Sequence, residues 1–373
     1  MPLSLNHLCN GLFIFLREKG FEPVALSSPG DDLVTVAKRE GVKTYAVPME
    51  RKIAPFKDFV SLINLIKVFR KERPDMVHSI TPKAGLLSMC AAWFARVPVR
   101  IHTFTGLVFP SATGLKKKLL MTTDRLTCIF ATNVVPEGNG VKRDLIDNHI
   151  TSKPLNVLGK GSVKGVDLSY FDPEIPEVVE TAKRLKKEGV FTFIFVGRLA
   201  RDKGINELIE AFKKLNQELP STRLLLIGWD ETDSDPVHDE TMAEIRSNLN
   251  IEWKDFQKDV RPWLTCGDCL VLPSYREGFP NVVLEAGAMA LPSIVTDING
   301  SNEIVINGET GHIVPPKDSE SLYEMMKKYV TGDIDLKKLS RNARLNISSK
   351  YDQKLVRESL LEFYKNLLKK QSL

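Results

Sequence analysis

The sequence predicts an α/β protein of two doubly wound domains, and three observations support this fold class. The chain has 373 residues, which suits two domains because one domain usually takes ~150 residues. Its composition, 43% hydrophobic and 27% charged, is typical of a soluble globular protein. Short apolar runs alternate with segments of helical period along the whole chain, which is the pattern of parallel strands covered by helices.

The elements of the first half follow from this alternation. Strands are predicted at 75–79 and 99–105, and a helix at 58–73 that ends before Pro74. The apolar residues that fall at helical spacing in this segment are Phe59, Leu62, Ile63, Ile66 and Phe69.

In the second half, four continuous apolar runs predict buried parallel strands at 191–197, 223–228, 269–274 and 292–296. Covering helices are indicated by apolar residues at helical spacing, which are Leu208, Ile209, Phe212 and Leu215, and Leu322, Met325, Met326 and Tyr329. The seam between the domains is predicted near 165–190, a stretch rich in proline and acidic residues that runs into charged residues.

The net charge of +5 hides an asymmetry, because residues 1–165 hold 24 Lys and Arg against 13 Asp and Glu, whereas the remainder holds 28 against 34. A basic half suits nucleic acid, anionic lipid or an anionic small molecule. No basic recognition helix or aromatic-basic repeat is present, so nucleic acid is not expected as a partner and a lipid surface is favoured.

The location of the protein is predicted from what the sequence lacks. No apolar run approaches the ~18 residues of a spanning helix, and no signal peptide is recognisable. Five cysteines, an odd number, form no disulfide framework. These features predict a cytoplasmic protein, with peripheral binding to the inner face of the cell membrane as an extension.

The loop after the strand 191–197 carries two cations in the stretch GRLARDKG. Gly197 allows a tight turn, Arg198 and Lys203 follow, and the next helix begins near Asn206 with unpaired N–H groups. A turn, two cations and a helix N-terminus suit a diphosphate. The alternative is a solvated loop whose cations only keep the surface soluble.

Two carboxylates mark the otherwise apolar stretch REGFPNVVLEAG, residues 276–287. Glu277 lies in the loop after the strand 269–274, where Gly278 frees the backbone to approach a ligand and Pro280 starts a helix. Glu285 follows in that helix among apolar neighbours, where a carboxylate is costly unless it is hydrogen-bonded, and sugar hydroxyls suit it. The alternative is that one glutamate pairs with an arginine and the other is exposed.

Together, GRLARDKG and PSYREGFPNVVLEAGAMALPSIVTDINGSNEIVINGETGHIVPP resemble the retaining glycosyltransferases of the GT-B fold, specifically the family 4 group with its Glu-x7-Glu motif. The resemblance is strongest from about 190 to 318, and it extends to bacterial enzymes that build capsules and surface polysaccharides. In this fold two Rossmann-like domains face each other across a cleft, and the last helix commonly returns to the first. The resemblance therefore implies an acceptor-side domain at 1–168 joined by a C-terminal helix at 355–373, and a donor-binding domain at 169–354.

The resemblance also implies the roles of the site residues. Glu277 would position the donor sugar, Glu285 would bind the nucleotide ribose, and Arg198 and Lys203 would bind the diphosphate. The predicted catalytic residues are Glu277, Arg198 and Lys203. The predicted donor site consists of Gly197, Arg198, Lys203, Gly278, Phe279, Pro280, Asn281 and Glu285. No metal and no other cofactor is expected, because the nucleotide-sugar is a substrate and enzymes of this fold need no metal there.

The acceptor side resembles the family more loosely, through PDMVHSITPKAG and RIHTFTGLVFPSATG. Many relatives have a histidine where this chain has Thr105 before Gly106. The predicted acceptor-side residues are His78, Lys83, Thr105 and Gly106. His102 is a further candidate, and the alternative for both histidines is a structural role on a strand. Relatives open with a strand before the segment that residues 2–20 resemble, so either this chain starts late or its N-terminal sheet has a gap.

Two other motifs are interpreted as ordinary structure. DSD at 233–235 resembles the metal motif of another glycosyltransferase fold, but it lies in an acidic run that a solvated loop explains. CGDC at 266–269 has Cys-x-x-Cys spacing without the second pair that a zinc site needs.

The predicted function is transfer of a sugar, with retention, from a nucleotide diphosphate donor such as a UDP-sugar to a glycan or polyprenyl-diphosphate-linked glycan in surface polysaccharide synthesis. The transferred group is expected to be a hexosyl or N-acetylhexosaminyl unit. The alternatives are a nucleotide-sugar epimerase or phosphorylase on the same frame, or a non-catalytic protein that binds glycans or a membrane surface. Basic and apolar residues share the segment 114–126, which predicts docking on an anionic membrane; the alternative is a solvated basic face.

Overall fold

The computed structural model of the chain describes residues 2–50, 54–232 and 235–371. It contains two compact units, one formed by Met1–Lys164 with Lys354–Leu373 and the other by Gly165–Gln353. No helix within the described ranges is long and apolar enough to cross a membrane.

The helices alternate with the strands along both units, as the apolar pattern predicts. The helices are α1 (Pro2–Leu8), α2 (Leu12–Glu18), α3 (Asp31–Glu40), α4 (Pro55–Glu72), α5 (Pro82–Phe94), α6 (Gly114–Phe130), α7 (Asn139–Asp147), α8 (Pro176–Leu185), α9 (Ile205–Glu218), α10 (Asp239–Ser247), α11 (Arg261–Cys266), α12 (Asn281–Ala288), α13 (Ser301–Ile304), α14 (Ser319–Thr331), α15 (Leu336–Lys350) and α16 (Gln353–Lys369). The strands are β1 (Val24–Ser27), β2 (Lys43–Ala46), β3 (Met76–Ser79), β4 (Val99–Phe104), β5 (Asn133–Pro136), β6 (Phe191–Val196), β7 (Thr222–Ile227), β8 (Ile251–Lys254), β9 (Cys269–Leu272), β10 (Ser293–Thr296) and β11 (Gly311–Val314).

The second unit is built on a six-stranded parallel sheet with the order β11-β10-β9-β6-β7-β8. Its central strands are continuous apolar runs buried on both faces, and Phe193 of β6 pairs with Leu224 of β7 and with Cys269 of β9. Numbered within the unit, the strands follow the order 3-2-1-4-5-6 of a doubly wound nucleotide-binding sheet. The predicted fold class and the four predicted strands of this half are confirmed.

In the first unit the strands form two separate parallel sheets, β1-β2 and β3-β4-β5, and no described strand joins them. The predicted strands at 75–79 and 99–105 correspond to β3 and β4. The predicted helix corresponds to α4, which starts at Pro55 and ends where Arg73 adopts a left-handed conformation just before Pro74.

The apolar residues at helical spacing in α4 do not all face the core. Leu65 and Phe69 are buried, and Leu62 and Ile66 pack against the same cluster. Phe59, however, is 60% exposed, and Ile63 also lies on the exposed face. The reason is that α4 is apolar on two faces over its first turns, and only one of them packs against the protein.

Helix α16 belongs to the first unit from Lys354 onward. Its Leu360, Leu361 and Tyr364 share a buried cluster with Val99 and Ile101 of β4.

The boundary between the two units lies between residues 164 and 165, slightly before the predicted boundary between 168 and 169. The N–H of Val166 donates to the carbonyl of Tyr351 at 2.8 Å, so this segment is bonded into the second unit.

Candidate functional site

The candidate donor site lies at the switch point of the six-stranded sheet. Strands β6 and β9 are neighbours in the sheet, but the chain leaves them toward opposite edges, β6 to β7 and β9 to β10. Ligands of open parallel sheets bind in the crevice that such diverging loops leave at the carboxyl ends of the strands. The two motifs of the sequence occupy these two loops, 197–203 after β6 and 274–280 after β9.

Close backbone contacts shape the turn after β6. The N–H of Gly197 donates to the carbonyl of Ile227 at 2.9 Å. A Cβ on Gly228 would lie 2.0 Å from the carbonyl oxygen of Gly197, so only glycine fits beside this turn. Next in the turn, the Arg198 guanidinium donates to Glu231 at 2.6 Å. Arg198 is therefore held at the end of β6 by a carboxylate from the loop after β7.

Lys203 and Glu277 meet across the two loops. The Lys203 ammonium donates to the Glu277 carboxylate at 2.6 Å, and the hydroxyl of Ser274 donates to the same oxygen at 2.8 Å. Only 18% of the Lys203 side chain and 15% of the Glu277 side chain are exposed. This largely desolvated ion pair joins the two sequence motifs into one site.

The backbone around Gly204 explains why these side chains meet. Gly204 has φ +69°, and a Cβ there would lie 2.1 Å from the carbonyl oxygen of Pro273. The N–H of Tyr275 also donates to the carbonyl of Asp202 at 2.8 Å. The loop after β6 therefore touches the end of β9, which brings Lys203 to Glu277.

Glu285 lies farther along, in the second turn of α12, which Pro280 caps. It is partly buried between the fully buried residues Leu284 and Ala286. The charge of Glu285 acts on Tyr170. Burial raises the pKa of the Tyr170 phenol, and the carboxylates of Asp259 and Glu285 add to that rise. Glu285 therefore makes polar and electrostatic contacts within an otherwise apolar helix.

The remaining predicted donor-site residues surround this helix start. The backbone of Gly278 lies against Gly300. A Cβ on Gly300 would lie 2.2 Å from the Gly278 carbonyl oxygen. Phe279 is buried and its ring lies 5.6 Å from that of Tyr351, so its side chain belongs to the core. Asn281 is the first residue of α12 and is partly buried.

The charges of the site match a diphosphate. Arg198 and Lys203 each contact a carboxylate, so both cations are balanced within the protein. A diphosphate offers the same charge and the same oxygen acceptors as these carboxylates, and it can replace them on the guanidinium and ammonium groups. The arrangement can therefore bind a dianionic diphosphate group next to a carboxylate.

Three contributors to the site were not predicted from the sequence: Glu231, Ser274 and Asp202. Glu231 lies in the acidic run after β7, which was interpreted as a solvated loop. Ser274 directly follows β9, and its position at a strand end is the signal that points to it. Asp202 lies 3.9 Å from Arg198, between the two motif cations in sequence.

Of the two motifs interpreted as ordinary structure, CGDC is described in full and DSD only at Asp235. Asp235 accepts a hydrogen bond from Arg201 at 3.1 Å, whereas Asp233 and Ser234 of the DSD motif lie outside the described residues. Cys266 and Cys269 are buried free thiols at a helix end and a strand start. In the described part of the chain, no group of three His, Cys, Asp or Glu side chains is arranged to hold a metal ion.

On the acceptor side, both histidines are hydrogen-bonded within the protein. The ring nitrogens of His78 contact the Tyr364 hydroxyl at 2.6 Å and the Thr103 hydroxyl at 2.7 Å. His102 is 1% exposed and its Nδ1 lies 2.8 Å from the Ser79 hydroxyl. Burial lowers the pKa of His78 to about 4 and that of His102 to about 3. These contacts fit the structural alternative for both rings.

The other acceptor-side candidates lie at the ends of β3 and β4. Lys83, at the start of α5, pairs with Asp58 at 2.6 Å. Thr105 and Gly106 directly follow β4; Thr105 is partly buried, and Gly106 has φ 109°. The structure thus places all four candidates in the first unit, near the carboxyl ends of its strands.

A doubly wound sheet with two cations and a carboxylate at its switch point is typical of nucleotide-binding α/β proteins. Comparison of the sequence with models of known protein families shows which class of protein this is. The model described as Glycosyl transferases group 1 matches residues 179–346, and the model described as Glycosyl transferase 4-like domain matches residues 11–161.

Individual relatives agree with these matches. The capsular polysaccharide biosynthesis glycosyltransferase CapM of Staphylococcus aureus is 31% identical, over 97% of this chain and 94% of CapM. The Escherichia coli UDP-Gal:alpha-D-GlcNAc-diphosphoundecaprenol alpha-1,3-galactosyltransferase is 32% identical, over 83% of this chain and 80% of the relative. The chain belongs to this glycosyltransferase family.

Solved structures show the same fold. A glycosyltransferase from Rickettsia africae superposes with a TM-score of 0.78 at 22% identity, covering 98% of this chain and 95% of the other. Anabaena HepE in complex with UDP superposes with a TM-score of 0.81 at 15% identity, covering 98% of this chain and 97% of HepE. The fold is GT-B, as the sequence resemblance implies.

Proposed function

We propose that this glycosyltransferase moves a hexosyl or N-acetylhexosaminyl group from a UDP-sugar, with retention of configuration, to a glycan carried on a polyprenyl diphosphate. The observation that carries the proposal is the Lys203–Glu277 pair at the switch point, with Arg198 beside it. The pair supports the proposal because two cations suit a diphosphate and one carboxylate suits the hydroxyls of a sugar.

Departure of the nucleoside diphosphate is the chemical problem in this reaction. The diphosphate gains negative charge as the glycosidic bond breaks, and fixed cations stabilise that charge most where it develops. In the proposed complex Arg198 and Lys203 bind the diphosphate oxygens in place of Glu231 and Glu277. Glu277, released from Lys203, accepts hydrogen bonds from hydroxyls of the donor sugar and positions it.

The proposed division of labour requires no metal, because the two side-chain cations balance the diphosphate charge. Glu285 binds the ribose hydroxyls from α12, one and a half turns beyond the sugar-positioning loop. The two glutamates of the sequence motif then contact two different rings of one nucleotide-sugar.

The choice of donor and acceptor is supported by the relatives. The name of the Escherichia coli enzyme specifies a UDP-galactose donor and a diphosphoundecaprenol-linked acceptor. A Campylobacter jejuni enzyme, 23% identical over 98% of this chain and 96% of its own length, is named for transfer to a diphospho-undecaprenol-linked sugar. CapM is named for capsular polysaccharide biosynthesis, which supports a role in surface polysaccharide synthesis.

We also propose that the first unit docks on an anionic membrane at the inner face of the cell membrane, through the start of α6. Lys116 and Lys118 are exposed there, and Lys117 is half-buried. Leu115 is 84% exposed and Leu119 is 48% exposed, whereas Leu120 and Met121 pack on the core. Each cation near anionic lipid contributes about 1 kcal/mol.

A thermal-shift screen of UDP-, GDP- and dTDP-sugars tests the donor assignment. A ligand at 100 times its dissociation constant stabilises the protein by about 2.7 kcal/mol, so UDP-sugars are expected to raise the melting temperature. The shift should be lost in Arg198→Ala and kept in the matched control Arg201→Ala, whose side chain in the same loop is 49% exposed and pairs with Asp235. Equal shifts in both variants would remove Arg198 from the site.

A further inference from the structure

Two carboxylates of the protein face the guanidinium of Arg198. The Nη1 atom of Arg198 lies 2.6 Å from the Glu231 carboxylate, and its Nη2 atom lies 3.9 Å from the Asp202 carboxylate. Only 17% of the Glu231 side chain and 24% of the Asp202 side chain are exposed. Both terminal nitrogens of the residue assigned to the diphosphate therefore lie near negative charge that the protein itself supplies.

The backbone holds Glu231 beside Arg198. The N–H of Glu231 donates to the carbonyl of Leu199 at 3.1 Å, and the N–H of Leu199 donates to the carbonyl of Trp229 at 2.9 Å. These bonds tie the segment 229–231 to the residue that follows Arg198. The Glu231 side chain can rotate away from the guanidinium when a ligand binds, but its charge stays within the donor site.

Asp202 is fixed by contacts of its own. Its N–H donates to the Asp235 carboxylate at 2.7 Å, and its carbonyl accepts from the N–H of Tyr275 at 2.8 Å. Its Oδ2 lies 3.5 Å from the guanidinium of Arg276. Its Oδ1, which faces Arg198, is buried and accepts no hydrogen bond from the residues that the structure describes. Asp202 therefore keeps its charge beside Arg198 whether or not Arg198 binds a ligand.

The charges of these groups cancel before any substrate binds. Three carboxylates and three cations contact one another across the loops, namely Glu231, Asp202 and Glu277 with Arg198, Arg276 and Lys203. A diphosphate adds two negative charges to this balanced group. It is attracted by the cations and repelled by the carboxylates that remain beside them, so its affinity is lower than the cations alone would give.

We propose that Glu231 and Asp202 are counter-ion residues that compete with the diphosphate for Arg198, and that they thereby weaken the binding of UDP and speed its release after sugar transfer. The inference rests on the proposed function, because it requires Arg198 to bind the diphosphate of UDP. Product release limits turnover in many enzymes. A carboxylate that returns to Arg198 as UDP leaves restores the charge balance of a partly buried cation.

A purely structural role for Glu231 predicts a different result from competition. If Glu231 only orients Arg198, loss of its charge leaves UDP binding unchanged or weaker. If Glu231 competes with the diphosphate, loss of its charge makes UDP bind more tightly. Glu231→Gln separates the two roles, because the amide oxygen still accepts a hydrogen bond from Arg198 whereas the negative charge is gone.

The test measures UDP affinity by isothermal titration and UDP dissociation by stopped flow, for the wild type, Glu231→Gln and Asp202→Asn. Each variant is expected to bind UDP roughly 3- to 10-fold more tightly at low salt, mainly through slower dissociation, because one negative charge beside the diphosphate is removed. The gain should shrink at high salt. The melting temperature without ligand should fall slightly, whereas the shift caused by UDP should grow.

The matched control is Glu244→Gln. The Glu244 side chain is 19% exposed and pairs at 2.8 Å with Lys213, so it resembles Glu231 in burial and in pairing, but the pair joins α10 to α9. This variant should bind UDP as the wild type does. Arg198→Ala in the same titration tests the proposed function by itself and should lose most of the affinity.

The outcomes distinguish the inference from the function on which it rests. Unchanged or weaker UDP binding in both carboxylate variants, with lost affinity in Arg198→Ala, would overturn the inference and leave the proposed function intact. Wild-type affinity in Arg198→Ala would remove both. Equal tightening in Glu244→Gln would also overturn the inference, because a general change of net charge would then be the cause. Tighter binding in one carboxylate variant alone would assign the role to that residue and remove it from the other.

Discussion

The ammonium of Lys203 and the carboxylate of Glu277 form a 2.6 Å ion pair between the loops that follow β6 and β9. The pair connects a residue assigned to the leaving diphosphate with one assigned to the donor sugar. In the proposed mechanism, donor binding exchanges this internal contact for two contacts to the substrate. Removing either partner therefore changes the state of the other, which makes the pair informative in mutants.

We predict that Lys203→Ala lowers kcat more than it weakens donor binding. Removing a group that stabilises charge in the transition state typically costs 10²–10³ in rate, about 3–4 kcal/mol. Steady-state kinetics with a UDP-sugar measure the effect, and Arg201→Ala is the control in the same loop. Wild-type kcat in Lys203→Ala would contradict the diphosphate assignment.

A second prediction concerns Glu285 and the nucleotide. Glu285→Ala should weaken UDP binding by about 1.5–3 kcal/mol, because the ribose loses hydrogen bonds to a charged group. Isothermal titration with UDP measures the loss. Glu210→Ala, an exposed position on α9, should leave the affinity unchanged. Equal affinities of the Glu285 variant and the wild type would place the ribose elsewhere.

A third prediction separates backbone conformation from close contact. Gly204 and Gly189 both have φ +69°. A Cβ on Gly204 would collide with the Pro273 carbonyl, whereas a Cβ on Gly189 would have nothing within 4 Å. Gly189→Ala should cost about 1 kcal/mol for the left-handed conformation. Gly204→Ala should cost more and should abolish the UDP-induced thermal shift, because Lys203 moves away from Glu277. Identical melting temperatures and shifts in the two variants would mean that the loop contact at Pro273 is unimportant.

A fourth prediction concerns pH. The folded-state pKa of His78, about 4, and that of His102, about 3, lie below the ordinary value of 6.5 because both rings are buried. The unfolded chain therefore binds more protons below pH 6.5, and each ring removes up to about 1.4 kcal/mol of stability per pH unit between 6.5 and its folded pKa.

Asp124 opposes this effect, because burial raises its pKa to about 7 and its contribution to stability is lost as the pH rises. The measurement is the urea midpoint of the first unit from pH 7 to pH 4.5, for the wild type and for Asp124→Asn. The variant should lose stability more steeply than the wild type as the pH falls. A flat profile in the variant would mean that the two histidines are protonated in the folded protein.

The sequence predicted most of the fold because buried parallel strands are continuous apolar runs, and β6, β7, β9 and β10 are of this kind. The exposed face of α4 was not predicted, because Phe59 and Ile63 share their spacing with Leu62 and Ile66, and periodicity alone does not tell which of two apolar faces packs. The motifs located Lys203 and Glu277, but their contact depends on the approach of Gly204 to Pro273, 69 residues away in sequence. Glu231 was not predicted either, because an acidic residue in a polar loop has no local signal.

The most direct test of the central claim is UDP release by the purified chain from a panel of UDP-sugars, with and without a short-chain polyprenyl-diphosphate sugar acceptor and with EDTA present. The proposed mechanism predicts acceptor-dependent UDP release with at least one donor, a product with the anomeric configuration of that donor by NMR, and a large loss of rate in Glu277→Gln. Conversion of the donor without acceptor, binding without turnover, or an inverted product would contradict it.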